Sequence, residues 1–218
     1  PIRRAEFLLG KYAGILFTAS VFVALMGALQ LWITSVQAGV DLRIALAALF
    51  GLPALLGVWA WRARDRTAVL LPFSLVALVV CSLLVVKAGR ALEPMLAQLA
   101  LVVIEVIVLA AFALLFSSFS TPFLTGVFTV GIWLAGRSAD DMATMKSKQL
   151  SEGVRAFLHA AAEVLPNLQL YVPGRALLYD EPSATLWRYV ATSAGYGVLY
   201  AAILLVFAAF IFERRDFL

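Results

Sequence analysis

An all-α, polytopic membrane bundle is the fold this sequence predicts, and three observations predict it. Hydrophobic residues make up 63% of the 218-residue chain and charged residues 14%, against about 25% charged in an ordinary soluble domain. Five or six long apolar stretches are separated by short polar breaks. The positive charges of those breaks fall on alternate sides of the stretches, as they do where loop charge fixes membrane topology. The mean hydropathy of +0.97 agrees. A single transmembrane domain over residues 1–218 is therefore expected, with about six transmembrane helices.

A helix needs roughly 20 apolar residues to cross the hydrocarbon layer, because its backbone polar groups must be satisfied within the segment. Tyr12 to Val36 meets that requirement. Ile44 to Trp61 is shorter, and Pro53 in its middle predicts a kink. Thr67 to Val86 is uncharged throughout, with Pro72 in its first turns. Met95 to Phe116 is apolar apart from Gln98 and Glu105. Phe123 to Gly136 is short, with Pro122 suited to the first helical position and Thr121 to the cap. Tyr189 to Phe212 is the last span, rich in Ala, Gly and aromatics.

Arg3, Arg4 and Lys11 precede the first span, Arg62, Arg64 and Arg66 follow the second, and Arg214 and Arg215 follow the last. Six spans put all three clusters on one side, which the positive-inside rule makes cytoplasmic. The net charge of +4 and pI near 9.5 are then topology signals, with no call for nucleic acid. All five tryptophans (32, 59, 61, 133 and 187) fall near predicted span ends, where amphipathic rings favour the headgroup region.

Residues 137–187 differ in kind and predict an external loop. Within them Val154, Phe157, Leu158, Ala161, Val164 and Leu165 follow helical spacing, opposite Glu152, Arg155, His159 and Glu163. Ser151 suits the N-cap and Pro166 the stop, so an amphipathic helix is expected between the last two spans. The chain opens on Pro1-Ile2-Arg3-Arg4 without a readable signal peptide, and an N-terminally truncated protein is expected.

Chemistry-bearing residues are sparse. Glu105 is the charge placed well inside a span, and it reads either as part of a transport pathway or as an interhelical polar contact, with Gln98 as a partner. His159 is the sole histidine and reads as part of a solvated helix face; Cys81 is the sole cysteine, lies among apolar neighbours, and reads as a packing residue. No metal, cofactor or catalytic site is expected, and no G-x-x-x-x-G-K-S/T phosphate loop occurs. Gly10 with Gly14, and Ala191, Gly195, Gly197 and Ala201, give small-residue spacings that permit close helix contact.

Three stretches, in order, resemble the permease subunits of type-2 ABC exporters, the group that includes nitrous-oxide-reductase maturation and multidrug-type permeases. Pro1 to Lys11 reads P-x-x-R-x-E-x-x-L-G-K; Leu115-Phe116-Ser117-Ser118-Phe119-Ser120-Thr121-Pro122 resembles the family's serine-rich cytoplasmic turn; and Leu165-Pro166-Asn167-Leu168 precedes a last span ending Phe212-Glu213-Arg214-Arg215-Asp216-Phe217. The resemblance implies an export subunit without its own ATPase, in the cell membrane (the inner membrane of a bacterium), with both visible ends cytoplasmic. It implies a separate cytoplasmic ATP-binding-cassette ATPase and a second permease copy or paralogue as partners. Arg3, Arg4, Glu6 and Lys11 are then the residues nearest the ATPase. An ATP-independent transporter or channel, and a membrane assembly subunit, are the competing readings. Two spans between Leu42 and Val86, where many relatives have a shorter connection, depart from the family pattern.

Overall fold

The computed structural model describes residues 4–65, 67–139, 165–180 and 182–214, together with Gly153 and Ala160. Among the described residues the chain is all helix, with no strand. Helix α1 covers Arg4–Gln37, α2 Leu42–Arg62, α3 Leu70–Lys87, α4 Glu93–Ser117 and α5 Pro122–Arg137. A 3-10 turn at Leu168–Tyr171, a short α6 at Arg175–Tyr179 and a long α7 at Ser183–Arg214 follow. The amphipathic helix expected over residues 151–165 lies almost wholly outside the described residues.

Five of these helices (α1, α2, α3, α4 and α7) are long and apolar enough to cross a membrane. The sixth stretch does form a helix, α5, but it stops after 16 residues. At 1.5 Å per residue that is about 24 Å, short of the roughly 30 Å hydrocarbon layer. Two other elements outrun their expected bounds. Helix α1 begins at Arg4, so the charged Arg4–Lys11 stretch is its opening turns and not a separate approach. Helix α7 begins at Ser183, six residues before Tyr189, which places Trp187 inside it.

The helix ends follow local chemistry. Gln37 and Lys87 are each followed by Ala-Gly, and Gly39 and Gly89 adopt φ of +87° and +67°. That left-handed residue lets Val40 N–H reach Ser35 O at 3.2 Å and Arg90 N–H reach Val85 O at 3.2 Å, the paired closure that satisfies otherwise orphaned last-turn carbonyls. Asp41 starts α2 by accepting the Arg43 N–H at 2.9 Å. Pro122 sits in the first turn of α5 after Thr121, as the sequence predicts, although the Thr121 hydroxyl makes no capping bond.

The chain divides into two compact units, residues 14–103 and residues 1–13 with 104–218. In the first, Ala28 and Leu31 of α1 pack with Phe73, Ala77, Cys81 and Val85 of α3, and Leu52 and Leu56 of α2 lie against them. Cys81 is buried there as a packing residue, as expected. Trp32 points inward and donates its indole N–H to Ala45 O at 3.0 Å. Gly27 gives Leu99 of α4 its place, because a Cβ would lie 2.6 Å from the Leu99 side chain.

In the second unit, Leu8 packs with Leu114 and Ala208, and the Tyr12 hydroxyl donates to Ile107 O at 2.9 Å. The buried face of α7 runs Ser193, Gly197, Ala201, Leu204 and Ala208, a run of mostly small residues that allows close backbone approach. Of the small-residue spacings read from sequence, Gly197 with Ala201 is the one that packs; Gly10, Gly14, Ala191 and Gly195 are exposed. A row of ring contacts joins Phe128, Phe116, Phe112, Tyr200 and Tyr196, with successive centroids 5.5, 5.9, 5.8 and 5.9 Å apart.

Candidate functional site

The polar centre of the second unit is built by one carboxylate and two donors from one helix face. Glu105 lies in the middle of α4 and is 5% exposed. Trp133 and Arg137 are four residues apart on α5, so their side chains leave the helix on the same side. Arg137 Nη2 donates to both carboxylate oxygens, at 2.8 Å to Oε1 and 2.9 Å to Oε2. Its Nε–H reaches Oε1 at 3.2 Å, and the Trp133 indole N–H reaches the same oxygen at 3.1 Å. The guanidinium carbon stands 5.6 Å from the centroid of the Trp133 ring, within cation–π range. The rigid guanidinium fork suits such bidentate pairing better than a lysine would.

Arg137 is the last residue of α5, so its cation also faces the carbonyl end of the helix dipole, a favourable placement. In the sequence reading Arg137 begins the 137–187 segment and Glu105 has no cation; the structure pairs the two. Gln98, the partner proposed from sequence, stands two turns back along α4 and is exposed, and the bonds to Glu105 come from α5. Trp133, read as a headgroup anchor, spends its indole N–H on the carboxylate. One sequence signal did point here: an apolar stretch too short to span, ending in an arginine after a single intramembrane acid.

The return segment closes on this centre. Leu168 is fully buried, and a Cβ at Gly136 would lie 2.7 Å from both Leu168 Cγ and Pro166 O. Glycine is therefore required one residue before Arg137 for the segment to seat. The Tyr189 hydroxyl donates to Leu170 O at 2.6 Å, and Asn167 N–H donates to the Tyr196 hydroxyl at 3.3 Å. Tyr171 is 1% exposed. Its phenol is pushed up to about 12, first by burial and then by Tyr196, Glu105 and Tyr189 nearby, so it stays a neutral donor at any ordinary pH.

The residues expected near an ATPase are at the start of α1. Arg3 lies outside the described residues, and Arg4 is the first residue of the helix. Glu6 is exposed, and Lys11 lines a small cavity with Phe7, Leu8, Ser117, Ser118 and Phe212. The lining of that cavity does not include Glu105. Among the described residues no group of three His, Cys, Asp or Glu could hold a metal; His159 lies outside them. In comparison with known proteins, no family model, no curated protein and no solved structure matches this chain.

The Glu105–Arg137 pair is thus a closed unit: charge is balanced, and Oε1 accepts three donors. Such an arrangement holds two helices in one register and excludes free charge from an apolar interior.

Proposed function

We propose that the chain is the membrane-spanning permease subunit of an ATP-binding-cassette exporter of the type-2 group. The observation that carries this reading is the order of the three motifs along an all-helical chain with five membrane-length helices. The P-x-x-R-x-E-x-x-L-G-K stretch enters α1, the serine-rich turn joins α4 to α5, and Leu165-Pro166-Asn167-Leu168 leads into the last helices. On this reading α5 is the sixth membrane segment, and residues 165–171 belong to the outside loop that follows it. Arg4, Glu6 and Lys11 then lie on the cytoplasmic side with the Arg214 end, next to a separate ATPase, and the permease acts as a dimer in the cell membrane of a bacterium. The permease has no hydrolytic chemistry; it converts ATPase closure into motion of its helices.

A second reading, an ATP-independent transporter, draws on the intramembrane carboxylate Glu105. Purification of the full-length protein from mildly solubilised membranes separates the two. A stoichiometric ATPase whose hydrolysis responds to the permease supports the exporter. A preparation free of ATPase, in nanodiscs as well as in detergent, would sink it and leave the autonomous transporter.

A further inference from the structure

Segment 165–171 is seated at nearly every point of contact. Pro166 O and Leu168 fill the space left by Gly136, Leu170 O accepts from Tyr189, and Asn167 N–H donates to Tyr196. Within the segment Asn167 Oδ1 accepts from Gln169 N–H at 3.0 Å. One group breaks the pattern. Among the described residues, the Tyr171 hydroxyl is the one buried side-chain oxygen or nitrogen with no hydrogen-bond partner.

A Cβ on Gly197 would lie 2.6 Å from the Tyr171 oxygen, 2.5 Å from Ile104 Cγ2 and 3.4 Å from Val108 Cγ2. The phenol therefore ends against the bare backbone of α7 and the turn of α4 that carries Glu105. Ile104 and Val108 flank it there, and the oxygen has no hydrogen-bond partner. An orphan hydroxyl penalises the seated state alone, because water satisfies it as soon as the segment moves away. Phenylalanine would fill the same space without the penalty.

We propose that segment 165–171 is a displaceable seal over the Glu105–Arg137 pair, and that the Tyr171 hydroxyl sets how readily it lifts. When the segment lifts, Tyr171 gains a water and the Ile104–Val108 turn is uncovered, which admits water to the carboxylate of Glu105. The anchors at Gly136, Tyr189 and Tyr196 draw the segment back. The proposal does not depend on a partner ATPase, and it gives the unpaired phenol a purpose that a permanently packed loop would not need.

Hydrogen exchange of the full-length protein in nanodiscs tests this, followed at the Asn167 amide, which bonds to Tyr196 across the seat, and at the Gln169 amide within the segment. Tyr171→Phe should slow their exchange by about 5- to 30-fold, the range that one buried unsatisfied polar group produces in an equilibrium. Gly197→Ala should speed it, since the added methyl meets the phenol oxygen. If Gly197→Ala does not fold, Leu168→Ala loosens the other end of the seat and should speed exchange instead. Exchange in Tyr171→Phe that equals or exceeds the wild-type rate overturns the proposal: the hydroxyl would then be a strut, held by a bound water. Leu168→Ala without effect would equally remove the seat.

Discussion

Residues 14–103 and the polar centre around Glu105 solve the same problem, holding helices together in an apolar setting, by different means. The first unit uses shape: Ala28, Ala77 and Cys81 let α1 and α3 approach, and Leu31, Phe73 and Val85 fill the contact. The second uses a charge pair, three donors on one oxygen, and a return segment seated on two glycines. Packing between helices in lipid has no large transfer term, because lipid tails are as apolar as leucine. An unpaired charge in the same place is far more costly. The contrast teaches that stability in the second unit is concentrated in a few atoms, whereas in the first it is spread over many.

The largest expected effect follows from that concentration. Arg137→Ala leaves Glu105 buried without its cation and should cost about 3–5 kcal/mol, read as a fall in thermal stability of the purified protein. The double change Glu105→Met with Arg137→Met should recover most of that loss, since no charge remains. Equal losses in the single and double variants would show that the pair is not what joins α4 to α5. Trp133→Phe comes next. It removes one donor to a charged oxygen that keeps its others, and should cost about 1.5–3 kcal/mol by the same assay.

In the first unit Leu31→Ala opens a buried cavity and should cost about 2 kcal/mol, the low end of the large-to-small range, because the water-transfer part is missing. A loss as large as that of Arg137→Ala would erase the distinction between the units. Gly27→Ala should cost about 1 kcal/mol, since the flexible end of Leu99 can give way. The smallest effect is on pH. Tyr171 holds its proton to about 12 when folded, against 10.0 as its ordinary value. The folded state therefore keeps a proton that the unfolded chain releases, and stability present below pH 10 is lost as pH rises toward 12. Tyr171→Phe should flatten that alkaline decline in a thermal-stability series; an unchanged decline would assign it to another group.

These regions also differ in how far they are legible before folding. The helices of the first unit are visible as apolar runs bounded by Gln37-Ala38-Gly39 and Lys87-Ala88-Gly89, where the glycine conformation ends each helix locally. The packing role of Cys81 is visible too, because Val79, Val80, Leu83 and Leu84 lie close to it in sequence. Around Glu105 the acid itself stands out, but its partners do not. Arg137 is 32 positions away, and its place at the end of a short apolar run looks the same as a loop charge. Nor does anything local mark Gly136 and Gly197 as seats for a segment far along the chain, among fourteen glycines.

What the sequence determined by itself is the solvent: apolar runs of this length and this scarcity of charge suit hydrocarbon, and they place helices wherever backbone groups must satisfy themselves. Only the tertiary structure decided which polar groups meet. An intramembrane charge selects its partner by distance and angle across helices, and the helix-length rule that makes the runs readable is indifferent to which face turns toward which neighbour. The same is true of the short fifth helix. Its 16 residues end where Arg137 finds Glu105 and where Gly136 admits Leu168, contacts that exist only once the distant segments have come together.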